Sequence, residues 1–433
     1  MAGNDASGTA QNRFAVRTTF GGVFADGQAL ELVAPPSTEA VQLLHWRGTD
    51  SRVGLQFQVG DVLYQAARLH PNLLTAVQFP SSAREYGNSE ELLGAIANLI
   101  RQATGLDEAA AMAGALWVLS SWFADFSSNP PLLHLAGPER LVVRLLRTLQ
   151  SLCRHSLTVT DLTRNLPFYL QPTLLAYDPT LSTKRQAWWR ASNHVGVLVP
   201  ESGGTFRNFA CAKAVYAGDQ QDSPDAWGPD ALRLNLSPPL QPLPQWSEFE
   251  ERQFSDVYQP QLLMLRLRTL PLFQRATSAV GATTVNSELA RNLLAGMQDS
   301  TEIVNKVTPL LIGAEEELSA RRLIDPNVAI IESLWGPSHE SAQIPVSKLS
   351  NRVNSKLWSR GERNFYSEKE VGWKLRQLRI PRRRNGKGMV VRFSSEVRRR
   401  VHVLAREFGL NLPRRENCPD CKESQADVVQ EVV

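Results

Sequence analysis

Between Pro131 and Leu236 the chain alternates short, continuously apolar runs with helical stretches, and no other feature constrains its fold as tightly. Pro131-Leu-Leu-His-Leu-Ala136, Leu157–Val159, Thr173-Leu-Leu-Ala-Tyr177, Val195–Val199, Ala210–Ala217 and Leu232–Leu236 read as strands. Pro138–Cys153, Leu162–Leu170 and Thr183–Ala191 read as helices. A strand without polar alternation is buried on both faces, so the pattern predicts an α/β domain built on a largely parallel sheet. Ser237-Pro-Pro-Leu-Gln-Pro-Leu-Pro244 closes that domain, because four prolines in eight residues cannot continue a helix or a central strand.

The 433 residues allow several packed domains. Before the α/β segment, Phe14–Phe20, Ala29–Val33, Val41–Trp46 and Arg52–Val59 are short β-like runs punctuated by Gly and Pro, followed by helical stretches at Ser89–Gln102 and Asp107 to about Phe126. The expected organisation is multidomain α/β: residues 1–12 disordered, a small β-rich N-terminal domain over 13–80, the parallel α/β core over 87–236, a helical connector over 246–334, a basic module over 345–410 and a flexible tail over 411–433. A hydrophobic fraction of 42% excludes a disordered chain, and four cysteines exclude a disulfide scaffold. No apolar run reaches the ~18 residues of a membrane span, and the first residues lack a basic n-region and an apolar h-region. The expectation is a cytoplasmic protein with no membrane partner.

The net charge of +4 conceals a bipolar chain. Lys348–Arg415 carries 20 Lys and Arg against 5 Asp and Glu, a balance of +15, whereas residues 1–347 stand at −7 and residues 416–433 at −4. One module is thus built for a polyanion. Within it, Val346, Leu349, Val353 and Leu357 fall at helical spacing, and Lys348, Arg352 and Lys356 form a basic i, i+4 row. Ser367 and Glu370 form a capping box that starts a second helix, with Val371, Leu375 and Leu378 as its buried stripe. Lys369, Lys374 and Arg376 lie on its other faces and are read as DNA-binding residues. Arg382-Arg-Arg-Asn-Gly-Lys-Gly-Met-Val-Val-Arg-Phe393 reads as a β-hairpin turning at Asn385-Gly386, and a last helix runs from Ser394 to Phe408. Arg382, Arg383, Arg384, Lys387 and Arg392 crowd that hairpin, where like charges across strands repel, so they read as DNA-binding residues.

Leu133-His-Leu-Ala-Gly-Pro-Glu-Arg-Leu-Val-Val-Arg-Leu-Leu146 is a strand, a Gly-Pro turn and a helix. Here, over roughly Gly87–Leu236, the chain resembles the AAA+/RecA-like P-loop ATPases of bacterial mobile elements, plasmids and phages. The C-terminal order of helix, turn, helix, basic hairpin and helix resembles the winged helix-turn-helix appended to those ATPases. The resemblance implies a P-loop NTPase-like core, a winged helix whose second helix enters the major groove, and a role in replication or maintenance of a mobile element. Laid over G-x-x-x-x-G-K-[ST] from Gly137, however, the second Gly falls on Val142, the Lys on Val143 and the Ser/Thr on Arg144. One carboxylate, Asp178, stands where the family has Asp-Glu, and Asp219 falls at a sensor-like place. Gly137, Arg140, Arg144 and Asp178 are therefore the degenerate nucleotide-site candidates, and the core is expected to be a pseudo-ATPase with no catalytic residues.

Cys418-Pro-Asp-Cys421 has the spacing of half a zinc ribbon, but a structural site needs four ligands, and Cys153 and Cys211 fall in the predicted α/β core. No metal or other cofactor is expected; zinc bridging two chains or recruiting His402 is the alternative. The reading is a DNA-binding protein that acts through double-stranded DNA and assembly with a protein partner or a second copy. The alternatives are an active DNA-dependent ATPase or helicase-like motor using ATP and Mg²⁺ at a divergent site, and a protein-binding scaffold or regulatory subunit.

Overall fold

The computed structural model describes residues 15–38, 40–160, 166–200, 206–218, 227, 231–239, 242–276, 293–294, 297, 324–386, 388–408, 410, 412–413, 415 and 418–421. The readings on residues 1–12, Leu162–Asn165, Asp219, Lys387 and most of the connector beyond Ala276 lie outside them. The chain divides into two units, Met1–Leu311 and Ile312–Val433. No helix among the described residues is long and apolar enough to cross a membrane.

The first unit opens with seven strands: β1 (Ala15–Thr19), β2 (Gly21–Val23), β3 (Ala29–Val33), β4 (Gln42–Arg47), β5 (Asp50–Gly54), β6 (Gln56–Val59) and β7 (Val62–Ala66). They make a three-stranded sheet, β1-β7-β6, and a four-stranded antiparallel meander, β2-β3-β4-β5. The run expected as one strand at Arg52–Val59 is two. It breaks at Leu55, which is 63% exposed, because β5 pairs with β4 while β6 pairs with β7 of the other sheet.

Helices α1 (Pro71–Ala76), α2 (Ser89–Thr104) and α3 (Glu108–Ser121) follow. Asn88 and Asp107 cap α2 and α3 by accepting from the Glu91 and Ala110 amides, and Gly105, in the left-handed region at φ +73°, ends α2. Next come β8 (Leu132–Ala136), α4 (Glu139–Leu152), β9 (Leu157–Val159), β10 (Leu174–Tyr177), α5 (Thr183–Ala191), β11 (Leu198–Pro200), β12 (Phe206–Asn208), β13 (Lys213–Tyr216), β14 (Ala231–Asn235) and the long α6 (Glu248–Ala276).

The expected parallel sheet is present, with five strands in the order β14-β8-β13-β10-β9 and every pair parallel. Successive strand residues point to opposite faces and enter two separate cores. Leu133, Leu135, Leu175, Ala214, Tyr216, Leu232 and Leu234 pack with α2, α3, α4 and α6. Leu132, Leu174, Ala176 and Val215 pack with Leu30, Leu32 and Leu43 of the N-terminal strands and with Phe168, Trp189 and Phe209. The β-rich segment thus covers one face of the sheet, where a second helical layer usually lies. The Val195–Val199 run does not join that sheet. Its Val195, Val197 and Leu198 are exposed, and among the described residues β11 pairs with β12 alone, antiparallel.

The second unit contains α7 (Pro326–Glu340), β15 (Gln343–Pro345), α8 (Val346–Ser359), α9 (Glu368–Gln377), β16 (Arg383–Asn385), β17 (Gly388–Arg392) and α10 (Ser395–Glu407). Its sheet runs β15-β17-β16, antiparallel throughout. Leu349, Val353 and Leu357 of α8, Val371 and Leu375 of α9, Val391, Phe393, Val397, Val401 and Leu404 form its core with Ile330 and Leu334 of α7. Helix α7 belongs to this core, although the sequence reading places residues 326–334 of it in the connector. Cys418 and Cys421, read as the start of a polar tail, are buried in the same core.

Candidate functional site

Helix α9 is fixed at both ends. The Ser367 hydroxyl accepts from the Glu370 amide and the Glu370 carboxylate accepts from the Ser367 amide, the reciprocal capping box read from the sequence. At the other end the Ile380 amide donates to the Leu375 carbonyl (2.8 Å), with Arg379 between them at φ +58°. This is a Schellman closure with arginine where glycine is usual. Arg400 of α10 donates from Nε to the Leu378 carbonyl (3.2 Å), tying the same terminus down.

Val371 and Leu375 turn inward, and Lys369, Trp373 and Arg376, spaced i, i+4, i+7, form an exposed stripe opposite them. Trp373 is 57% exposed, and Trp358 at the end of α8 is 78% exposed. Lys374 is half-buried, its ammonium 5.5 Å from the Tyr366 ring centre. In the hairpin, Arg383 and Arg384 are exposed and lie opposite Val390 and Met389, and Arg392 lies opposite Gln343. The cross-strand charge repulsion expected there is therefore absent among the described residues: each arginine faces an uncharged partner. The tight turn falls between Asn385 and Gly388, one residue later than read from the sequence. Arg382 lies across α9 with its guanidinium on buried Gly372, where any Cβ would meet it. Of the second basic row, Lys348 and Arg352 are exposed, while Lys356 pairs with Glu332 of α7 (3.5 Å), which also binds Arg360 (2.6 Å).

In the first unit, the turn after β8 is closed by the chain itself. Gly137, at φ +122°, abuts the Leu236 carbonyl so tightly that no side chain fits. Glu139 in the first turn of α4 accepts from the Tyr177 hydroxyl, which pushes Tyr177 up to about 12, and Tyr177 stacks on Tyr216 at 5.5 Å. Arg140 and Arg144 line a different space, a groove of about 580 Å³ shared with Arg147 and Trp246. Arg144 donates to the Pro244 carbonyl and lies 5.1 Å from the Trp246 ring centre. Asp178 is buried and accepts from the Thr180 hydroxyl (2.9 Å) and amide (3.2 Å), with Arg185 at 3.9 Å. Gly137 and Asp178 do not line the groove of Arg140 and Arg144, so the four candidates do not converge on one cavity.

One further constellation joins residues far apart in sequence. His339 of α7, His402 of α10, Cys418 and Cys421 bring one ligating atom each within 4.8 Å of one another. The Nε2 atoms of the two histidines stand 3.2 Å apart; Cys421 Sγ is 3.3 Å from His402 Nε2 and 3.5 Å from His339 Nε2, and Cys418 Sγ is 3.5 Å from His402 Nε2. Each histidine donates from Nδ1 to the carbonyl one turn back, His339 to Trp335 (2.7 Å) and His402 to Arg398 (2.8 Å). Trp335 packs over both rings, and burial lowers the pKa of His402. Cys153 and Cys211 are far inside the first unit, where burial raises both thiols, Cys153 to about 12. The Cys418/Cys421 pair and His402 were legible as ligand types; His339 was not, because only the packing of α7 against α10 brings it in.

No family model and no curated protein matches the chain. Among solved structures, the apo structure of the NrS-1 C-terminal region (305–718) is similar at 10% identity, covering 84% of this chain and 96% of that chain with a TM-score of 0.36. The A-form apo structure of the same region gives 10% identity, the same coverage and a TM-score of 0.34. A further A-form apo structure of that region gives 11% identity over 84% of this chain and 95% of that chain, with a TM-score of 0.32.

Proposed function

We propose that the second unit is a winged helix-turn-helix that binds duplex DNA, with α9 as the helix that enters the major groove and the β16–β17 hairpin as the wing against the phosphate backbone. The observation that carries this reading is the outward stripe Lys369, Trp373 and Arg376 on a helix capped at both ends. Lysine and arginine supply phosphate contacts and guanine recognition, and an exposed indole supplies apolar contact with base edges. Arg383, Arg384 and Arg392 add exposed charge on the hairpin, and the segment's +15 balance is the electrostatic footprint of such a ligand.

The first unit is read as an ATPase-like scaffold without turnover. In its parallel sheet the first strand in chain order, β8, is separated from the second, β9, by two others, unlike dinucleotide-binding and flavodoxin-like sheets, where the first two strands are neighbours. That order agrees with the ATPase resemblance. The chemistry does not, because Val142 and Val143 replace the glycine and lysine of the phosphate loop, and Glu139 puts a carboxylate at the helix terminus that a phosphate would need.

Anisotropy titration of a labelled random duplex, with and without ATP–Mg²⁺ at two salt concentrations, tests both parts. Salt-sensitive binding that ignores ATP is the expected result. Binding that shifts with ATP would restore a nucleotide-driven motor, and no binding at low salt would leave a protein-binding scaffold.

A further inference from the structure

We propose that His339, His402, Cys418 and Cys421 form a structural zinc site that fastens the chain beyond α10 onto α7 and α10. The geometry carries this. With Zn–N of about 2.05 Å and Zn–S of about 2.3 Å, a tetrahedral ion sets its ligand atoms about 3.3 Å apart for two nitrogens and about 3.6 Å for nitrogen and sulfur. The corresponding separations here are 3.2 Å and 3.3–3.5 Å. Four of the six donor–donor separations thus match those around a central zinc, and all six lie within 4.8 Å.

The histidine tautomers point the same way. A carbonyl accepts only, so each Nδ1 bonded to one must carry the proton. Both neutral rings therefore present bare Nε2 lone pairs, and these face each other at 3.2 Å. Two acceptors at that distance repel unless a cation lies between them. The Nδ1 bonds are also the outer-shell contacts that orient zinc-bound histidines.

Two thiolates and two imidazoles in a tetrahedron select zinc among the common divalent ions. Binding releases the two thiol protons to solvent and leaves a centre of zero net charge, which suits its burial. With four protein ligands no position is open for substrate, so the role is structural. The consequence is mechanical: His339 closes α7, His402 lies within α10, and the two cysteines follow the last helix, so one ion crosslinks three segments of the basic unit.

The test uses the untagged full chain purified under reducing conditions. Elemental analysis is expected to find about one zinc per chain. Replacing zinc with cobalt(II) should give the intense visible bands of a tetrahedral ion bound by two thiolates. Cys418→Ser with Cys421→Ser should abolish both signals, while Cys153→Ser with Cys211→Ser leaves them intact. His339→Ala should weaken metal affinity at least ~100-fold, the upper end of what loss of an outer-shell partner costs, and His339→Cys should restore binding with a shifted cobalt spectrum. If the serine variants fail to fold, iodoacetamide labelling of the wild-type chain decides: Cys418 and Cys421 should be protected with zinc and alkylated after chelation. Absence of zinc together with no cobalt spectrum in the reduced chain would overturn the site. Equal zinc in the wild-type and Cys418→Ser/Cys421→Ser chains would do the same.

Discussion

Glu31, buried at 1% exposure in the middle of β3, shows what a single residue can demand of a fold. Its carboxylate accepts from Arg266 Nε (2.7 Å) and Arg154 Nη2 (3.0 Å), and Arg266 also pairs with Asp125. Burial alone would raise Glu31; the two guanidiniums more than offset it and hold it at about 2. Burial lowers the neighbouring His155 to about 3. Removing one member strands the others: Arg266→Met should cost about 3–5 kcal/mol, measured by urea denaturation, because it leaves the buried Glu31 and the half-buried Asp125 without a shared guanidinium. In both titrating groups the unfolded chain takes up the proton first as pH falls. The Glu31 contribution, about 3 kcal/mol, is therefore complete above pH 4.5 and lost as pH falls through about 2, and the cost of keeping His155 neutral grows from pH 6.5 down to about 3. Denaturation midpoints should fall steadily between pH 7 and pH 3, and Glu31→Gln should flatten the part below pH 4.5. None of this was legible in the sequence. Ala29-Leu-Glu-Leu-Val33 reads as an ordinary short β-like run, and the partners of Glu31 lie 123 and 235 residues away.

At the scale of elements, many local signals held, although the helix read over Leu162–Leu170 is, in its described part, only a 3₁₀ turn at Phe168–Leu170. The capping box at Ser367, the buried stripe of α9 and the parallel strands were readable from spacing alone, because helix and strand periodicities act over a few residues. The failures arose where a partner strand decided the outcome: β5 and β6 part at Leu55 to join different sheets, β11 pairs with β12 outside the main sheet, and the hairpin register separates the arginines that composition crowded together. The left-handed Arg379 at the end of α9 is another such feature, since no residue type announced it. A non-glycine residue in that region is strained, so Arg379→Gly should stabilise the second unit by about 0.5–1 kcal/mol in thermal unfolding. If Arg379 serves the interface, the same variant should bind duplex less tightly; unchanged affinity would assign it no part in binding.

At the scale of the molecule, the chain divides its work between two units of opposite character. The first contains a parallel sheet whose turn after β8 is packed by Leu236, Glu139 and Tyr177, and on the proposed reading of a scaffold without turnover purified protein should show no ATP turnover above a blank, with or without duplex, in a coupled phosphate-release assay. The second concentrates the positive charge. Charge asymmetry and the helix–hairpin order made that unit visible in the sequence, but its true first helix, α7, and its Cys418/Cys421 closure emerged only from packing, because both contribute buried rather than charged residues. The most direct measurement is the salt dependence of duplex affinity for the wild-type chain and for a variant carrying Lys369→Ala, Arg376→Ala, Arg383→Ala and Arg384→Ala. Each lost phosphate contact should flatten the slope of log affinity against log salt by about 0.9, so the variant should bind weakly with a slope shallower by about 2–4. A variant that kept the wild-type affinity and slope would contradict the assignment of α9 and the hairpin as the DNA-binding surface.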